Sequence, residues 1–138
     1  MEWLEQNGLL LLMLAVFGYL LLWDRLMARV LGVETITVHD LSNKLGGDDP
    51  PLLVDVRTPR EFQAGHVKQA ISVPLSELGS RREQIVRKNE GRAVAVICQS
   101  GNRSVKGSVA FRRAGAKTVY NVAGGLSHWR AQGYSVLK

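Results

Sequence analysis

Cys98 is the only cysteine in the chain, and "CQSGNRS" places Gln99, Ser100, Gly101, Asn102, Arg103 and Ser104 directly behind it. The apolar run "AVAVIC" ends in this cysteine, and "SVKGSVAFRRAG" follows with a helical pattern. "CQSGNR" is therefore expected to be a tight loop between a strand and a helix N-terminus, with its backbone N–H groups turned inward as an anion cradle. Gly101 lets that loop bend where a side chain would obstruct it. Cysteines at helix N-termini shift toward the thiolate, from roughly 8.5 to between about 3.5 and 7.5 in pKa. The chemistry this permits is nucleophilic attack by sulfur on a small anionic substrate. A lone cysteine after an apolar run is more often an inert core residue. Such a residue does not require Ser, Gly, Asn, Arg and Ser in the following six positions ahead of a helix.

The elements that must position this loop are short and alternating. "TITVHDLSNKLGGDDPP" reads as a strand, a helix and a breaker cluster, and "LLVDVR", "AISVP", "AVAVIC" and "KTVYNV" read as further strands. Helical stretches separate them: "PREFQAG", "LSELGSRREQIVRK", "SVKGSVAFRRAG" and "GGLSHWRAQG". Alternation of this kind predicts an α/β fold, one mostly parallel sheet covered on both faces in three layers. Sites in such sheets form outside the carboxyl ends of the strands. Asp55, at that end of "LLVDVR", and Cys98, at that end of "AVAVIC", are expected to share one crevice.

The first residues obey a different rule. "GLLLLMLAVFGYLLLW" carries no charge, and all 18 Lys and Arg lie from Arg25 onward. Residues 9–23 span only about 22 Å as a helix, short of a hydrocarbon core of about 30 Å. Trp3 and Trp23, 20 residues apart, bring the span to about 30 Å with an indole at each interface. A signal peptide would need cations before the apolar run and small residues after it, whereas the flanks are "MEWLEQNG" and "WDRLMARV". The segment is apolar all round, unlike an amphipathic core helix. Residues 1–24 are thus expected to be a transmembrane anchor, residues 25–34 a juxtamembrane continuation or short linker, and residues 35–138 one domain. Glu2 and Glu5 precede the span while Arg25 and Arg29 follow it, so the positive-inside rule places the domain on the cytoplasmic side of an inner membrane. A single cysteine suits a reducing compartment and cannot build a multi-cysteine metal site. The 18 basic residues are scattered without a nucleic-acid motif, so anionic lipid is a better partner for them than nucleic acid.

Several ordered motifs resemble those of the rhodanese-like sulfurtransferases. "CQSGNRS" is similar to their cysteine loop, "DVRTPREFQAGHVKQAISVPLSEL" to their Asp-Val-Arg, Glu-Phe, Gly-His and Ala-x-x-x-Pro signature, and "VAGGLSHW" to their closing Gly-Gly-x-x-x-Trp, over residues 35–133. The resemblance implies a rhodanese-like domain in which Cys98 accepts a sulfane sulfur as a persulfide and passes it to a second nucleophile. It implies that residues Gln99 to Ser104 bind a small anionic donor such as thiosulfate. Arg103 would attract the anion or stabilise the leaving group, with a salt bridge to a surface carboxylate as its alternative role. Ser104 would offer a hydrogen bond to sulfur. Related phosphatases of the same fold carry a longer loop, sized for phosphate. Only Gln99, Ser100, Gly101 and Asn102 intervene here between Cys98 and Arg103, which favours sulfur.

The other matched residues are expected to support the site. Asp55 and Arg57 would tie the strand end to neighbouring loops, with Glu61 as a partner for Arg57 four residues away. His66 would brace the loop by analogy, and Gly124 and Gly125 would allow close backbone approach before the last helix. No cofactor or metal is implied. With no second cysteine the chain cannot resolve its own persulfide, so the acceptor would be cyanide, a small thiol or a protein thiol. The alternative is a catalytically idle rhodanese-like module that serves as a membrane-tethered interaction partner.

Overall fold

The computed structural model describes residues 1–138. Five strands, β1 (Glu34–Ile36), β2 (Leu52–Asp55), β3 (Ile71–Ser72), β4 (Val94–Ile97) and β5 (Val119–Val122), form one sheet in the order β1-β5-β4-β2-β3. Every pairing is parallel. β2 and β4 are buried at each position, as expected of central strands covered on both faces and built almost wholly from aliphatic residues. On one face, Leu78, Ile85 and Phe111 from α4 (Leu78–Lys88) and α5 (Arg103–Arg113) pack on Val54, Val94 and Val96. On the other, Leu41 of α2 (Val38–Leu45) and Leu126 and Trp129 of α6 (Gly125–Ala131) pack on Leu53, Ala95 and Ile97. Three layers result, as the strand and helix alternation predicts.

From β2 the chain passes through α3 (Pro59–Gln63) to β3 at one edge, whereas from β4 it passes through α5 to β5 on the opposite side. The two crossovers diverge from neighbouring strands and leave a crevice at their carboxyl ends. Asp55 lies opposite Ile97 in the β2–β4 register, so Cys98 begins one residue beyond it. Both residues thus lie at the carboxyl ends of adjacent strands, and both are buried there.

The N-terminal helix α1 (Glu2–Val30) runs 29 residues without a break, past the apolar span into the juxtamembrane segment. It is long and apolar enough to cross a membrane, with a mean hydropathy of 1.9 over its most apolar window and nothing in that window buried. Residues 25–30, expected to continue toward a linker, are its last turns. Ala28 is buried there against Val105 and Val109 of α5, so an apolar contact with the domain carries the helix past the apolar run.

Candidate active site

Cys98 leaves β4 and its sulfur is enclosed by the loop that follows. Gly101 N donates to Sγ at 3.1 Å and Ser104 N at 3.3 Å, while Ser104 Oγ lies 3.4 Å away. The cysteine is only 1% exposed and sits at the end of the cluster formed by Val54, Val96 and Phe111. The bend comes from Gly101, whose φ of 96° is in the left-handed region, and a Cβ there would press on Gly124 N at 3.0 Å. Two backbone donors converge on one sulfur: Ser104 N is one of the first N–H groups of α5, which have no helical partners, and Gly101 N is turned inward by the bend of the loop. An anionic sulfur is the group that uses such donors best.

The loop is held from three sides. The guanidinium of Arg57 donates to both carboxylate oxygens of Asp55 at 2.8–3.1 Å, to the Gly65 carbonyl at 2.8 Å and to Gln99 Oε1 at 3.2 Å. Arg57 and Asp55 are both almost fully buried. Gln99 Nε2 in turn donates to Ser127 Oγ at 3.1 Å. From below, α6 supplies its own free N–H groups: Leu126 N donates to the Cys98 carbonyl at 2.9 Å and Ser127 N to that of Gln99 at 3.0 Å. This approach is why Gly125 is glycine, since a Cβ there would collide with the Cys98 carbonyl oxygen. Gly124 has φ 75° and starts the same turn. Ser100 and Asn102 lie exposed on the loop's outer face.

Two assignments change. Glu61 does not pair with Arg57; its oxygens accept from Arg103 Nη1 at 2.7 Å and Nη2 at 2.9 Å. Thr58 and Glu61 form a capping box at the start of α3, so Glu61 Oε1 accepts from Thr58 N at 3.2 Å while the same carboxylate reaches across to Arg103. The pattern Thr58-Pro-Arg-Glu61 is legible as such a box, but the contact to Arg103, 42 residues away, has no local signal. Arg103 therefore has the salt bridge that was its alternative role. His66 does not brace the loop: its Nδ1 is 2.8 Å from the Phe62 carbonyl oxygen, its ring stacks on Phe62, and its backbone pairs with Leu137. It ties α3 to the C-terminal segment.

Hydrogen bonds from Arg103 hold the Glu61 carboxyl at about 2, with Thr58 adding to the effect against partial burial. Because this value is depressed below the ordinary 4.5, the pair's stabilisation is complete above that pH and is lost as pH falls toward 2. Both side chains are about one third exposed, so solvent screening limits it to about 1 kcal/mol. Glu61→Gln is expected to be less stable by about that amount at pH 7, with the difference fading through the acid range. Urea unfolding at a series of pH values measures it; a constant difference down to pH 2 would exclude the charged pair as its source.

Comparison with known proteins gives one consistent result. The family model described as Rhodanese-like domain matches residues 37–132. A sulfurtransferase of Allochromatium vinosum is 30% identical over 105 residues, covering 76% of this chain and 95% of that one. Thiosulfate sulfurtransferase 16 of Arabidopsis thaliana, a chloroplast protein, is 36% identical over 116 residues, or 77% of this chain and 92% of that one. The crystal structure of a rhodanese-related protein from Thermoplasma volcanium superposes with a TM-score of 0.66 at 31% identity, covering 75% of this chain and 97% of its own. The chain spans only 51% and 59% of the length of two uncharacterized relatives from Synechocystis and Bacillus subtilis.

Proposed function

This chain belongs to the rhodanese-like domain family, and on that premise we propose that it is a membrane-anchored sulfurtransferase with Cys98 as its nucleophile. The observation that carries the proposal is the enclosure of Sγ by Gly101 N, Ser104 N and Ser104 Oγ. Those groups suit a sulfur that is charged before the reaction and carries a charged outer sulfur after it. With thiosulfate, the Cys98 thiolate attacks the outer sulfur, the new S–S bond forms, and sulfite leaves with the electron pair of the bond that breaks. A thiolate acceptor then attacks the outer sulfur of the persulfide, taking it as its own persulfide and restoring the Cys98 thiolate. Cyanide in the same role leaves as thiocyanate.

Arg103 serves this scheme indirectly. Glu61 engages both its Nη atoms, so the ion pair holds the start of the helix that presents the loop. The thiol acceptor comes from outside the chain, because Cys98 is its only cysteine. α1 anchors the domain in an inner membrane on the cytoplasmic side, an orientation supported by Arg25 and Arg29 after the apolar span against Glu2 and Glu5 before it.

Intact-mass measurement tests the reaction. Reduced full-length protein incubated with thiosulfate or another sulfane donor is expected to gain one sulfur atom, and cyanide or a thiol to remove it. Folded, reduced protein that gains nothing from a panel of donors would leave the interaction module in the enzyme's place.

A further inference from the structure

α1 is docked on the domain, and the manner of docking has a direction. Asp24 Oδ2 is 3.7 Å from Lys106 Nζ, Ala28 packs with Val105 and Val109, and Arg112 Nε donates to the Leu31 carbonyl at 2.7 Å. Contacts advance along both helices in the same sense, so α1 and α5 run side by side in parallel. The amino end of α5, where the cysteine loop opens, therefore points back toward the membrane-spanning part of α1.

The depth of that opening follows from the helical rise. Trp23 is five residues before Ala28, or about 7.5 Å at 1.5 Å per residue. Ala28 packs in one cluster with Val105 and Val109, whose midpoint is about four residues from Arg103, or about 6 Å along α5. The start of α5 thus lies within about one helical turn, about 5 Å, of the level of Trp23, the residue type that marks the membrane interface. A second feature agrees: a cleft of about 620 Å³ has Leu20, Leu21 and Leu22 on one wall and Asn102, Arg103 and Lys106 on the other. Leucines of the membrane span and residues of the active loop share one space.

We infer that the face carrying the cysteine loop is a membrane-surface contact, lying on the headgroup layer of the bilayer that holds α1, with an anionic lipid headgroup seated in this cleft. The inference rests on the anchor reading of α1 and not on the sulfur chemistry. Charge supports the choice of lipid. Arg25 is exposed, has no acidic partner and lines the cleft beside Lys106, whose own partner Asp24 is the cleft's one carboxylate. Leu20 to Leu22 continue the cleft into hydrocarbon, as an acyl chain below a headgroup requires. The substrate then reaches Cys98 along the plane of the membrane surface.

The test uses the full chain in lipid nanodiscs. Cys98→Ser removes the only native thiol, so a fluorophore can be placed on Asn102→Cys, beside the loop, or on Lys117→Cys, beyond the far end of α5. Lipids carrying a nitroxide at the headgroup are expected to quench the probe at 102 at least threefold more than the probe at 117. At equal mole fraction, labelled phosphatidylglycerol should quench the probe at 102 more than labelled phosphatidylcholine does, and Arg25→Gln with Lys106→Gln should erase that preference. Equal quenching at the two positions would overturn the surface contact, and absence of a lipid preference would overturn the anionic headgroup. A chain that fails to enter nanodiscs would overturn the anchor and this inference together, whereas persulfide formation on Cys98 is read separately by mass.

Discussion

Cys98→Ser is expected to abolish sulfur loading completely while the domain stays folded. A serine hydroxyl has neither the polarisability nor the acidity to attack a sulfane sulfur at neutral pH, and no second thiol exists in the chain to substitute for it. The structural cost is modest for a specific reason. The position is buried in an apolar cluster, which argues for destabilisation, but Gly101 N, Ser104 N and Ser104 Oγ already point at it and will satisfy a hydroxyl. A loss of about 1–2 kcal/mol balances these effects. Intact mass after donor treatment and thermal unfolding together give the answer. A sulfur adduct on the serine variant would place the chemistry elsewhere.

Asp55→Ala should produce the largest loss of stability in the domain, about 3–5 kcal/mol, by stranding Arg57. The Arg57 guanidinium and backbone N–H make four hydrogen bonds to the Asp55 carboxylate. Without that carboxylate a guanidinium only 2% exposed keeps its contacts to Gly65 and Gln99 and no countercharge. Since about 1 kcal/mol shifts the melting temperature by about 4–8 °C in a domain of this size, a fall of about 15 °C or more is expected. Sulfur loading should slow as well, because Arg57 reaches the loop through Gln99. Replacing both residues together, Asp55→Leu with Arg57→Met, should recover much of the stability and none of the loop support. A melting temperature unchanged in Asp55→Ala would show the pair to be dispensable.

Much of this was open to inspection in the chain. The parallel sheet followed from apolar runs such as "LLVDVR" and "AVAVIC", because a strand buried on both faces has no polar alternation to confuse with a surface. The loop was equally plain, since Gly101 and the polar residues around it have no other use between a strand and a helix. Pairings across long separations were less plain. Helical spacing pairs Glu61 with Arg57, but α3 is five residues long and the carboxylate is shared between Thr58 and Arg103, the latter 42 residues away. The burial of Cys98 was hidden because a residue just past a strand looks exposed until the helix behind it is placed. The docking of α1 was hidden for a related reason: Ala28 packs against Val105 and Val109, and no local pattern announces that contact.

The two hydrogen bonds from α6 to the Cys98 and Gln99 carbonyls also set an order of events during synthesis. A growing chain that has released Cys98 but not yet Leu126 has a thiol without the backbone contacts that shape its loop, and β1 still waits for Tyr120 and Val122 to close the sheet. The cysteine loop therefore takes its final shape only after Leu126 and Ser127 have been made. On the proposed anchor reading, α1 is translated well before Leu126 and Ser127, so the membrane helix is available for insertion before the loop around the proposed nucleophile is complete.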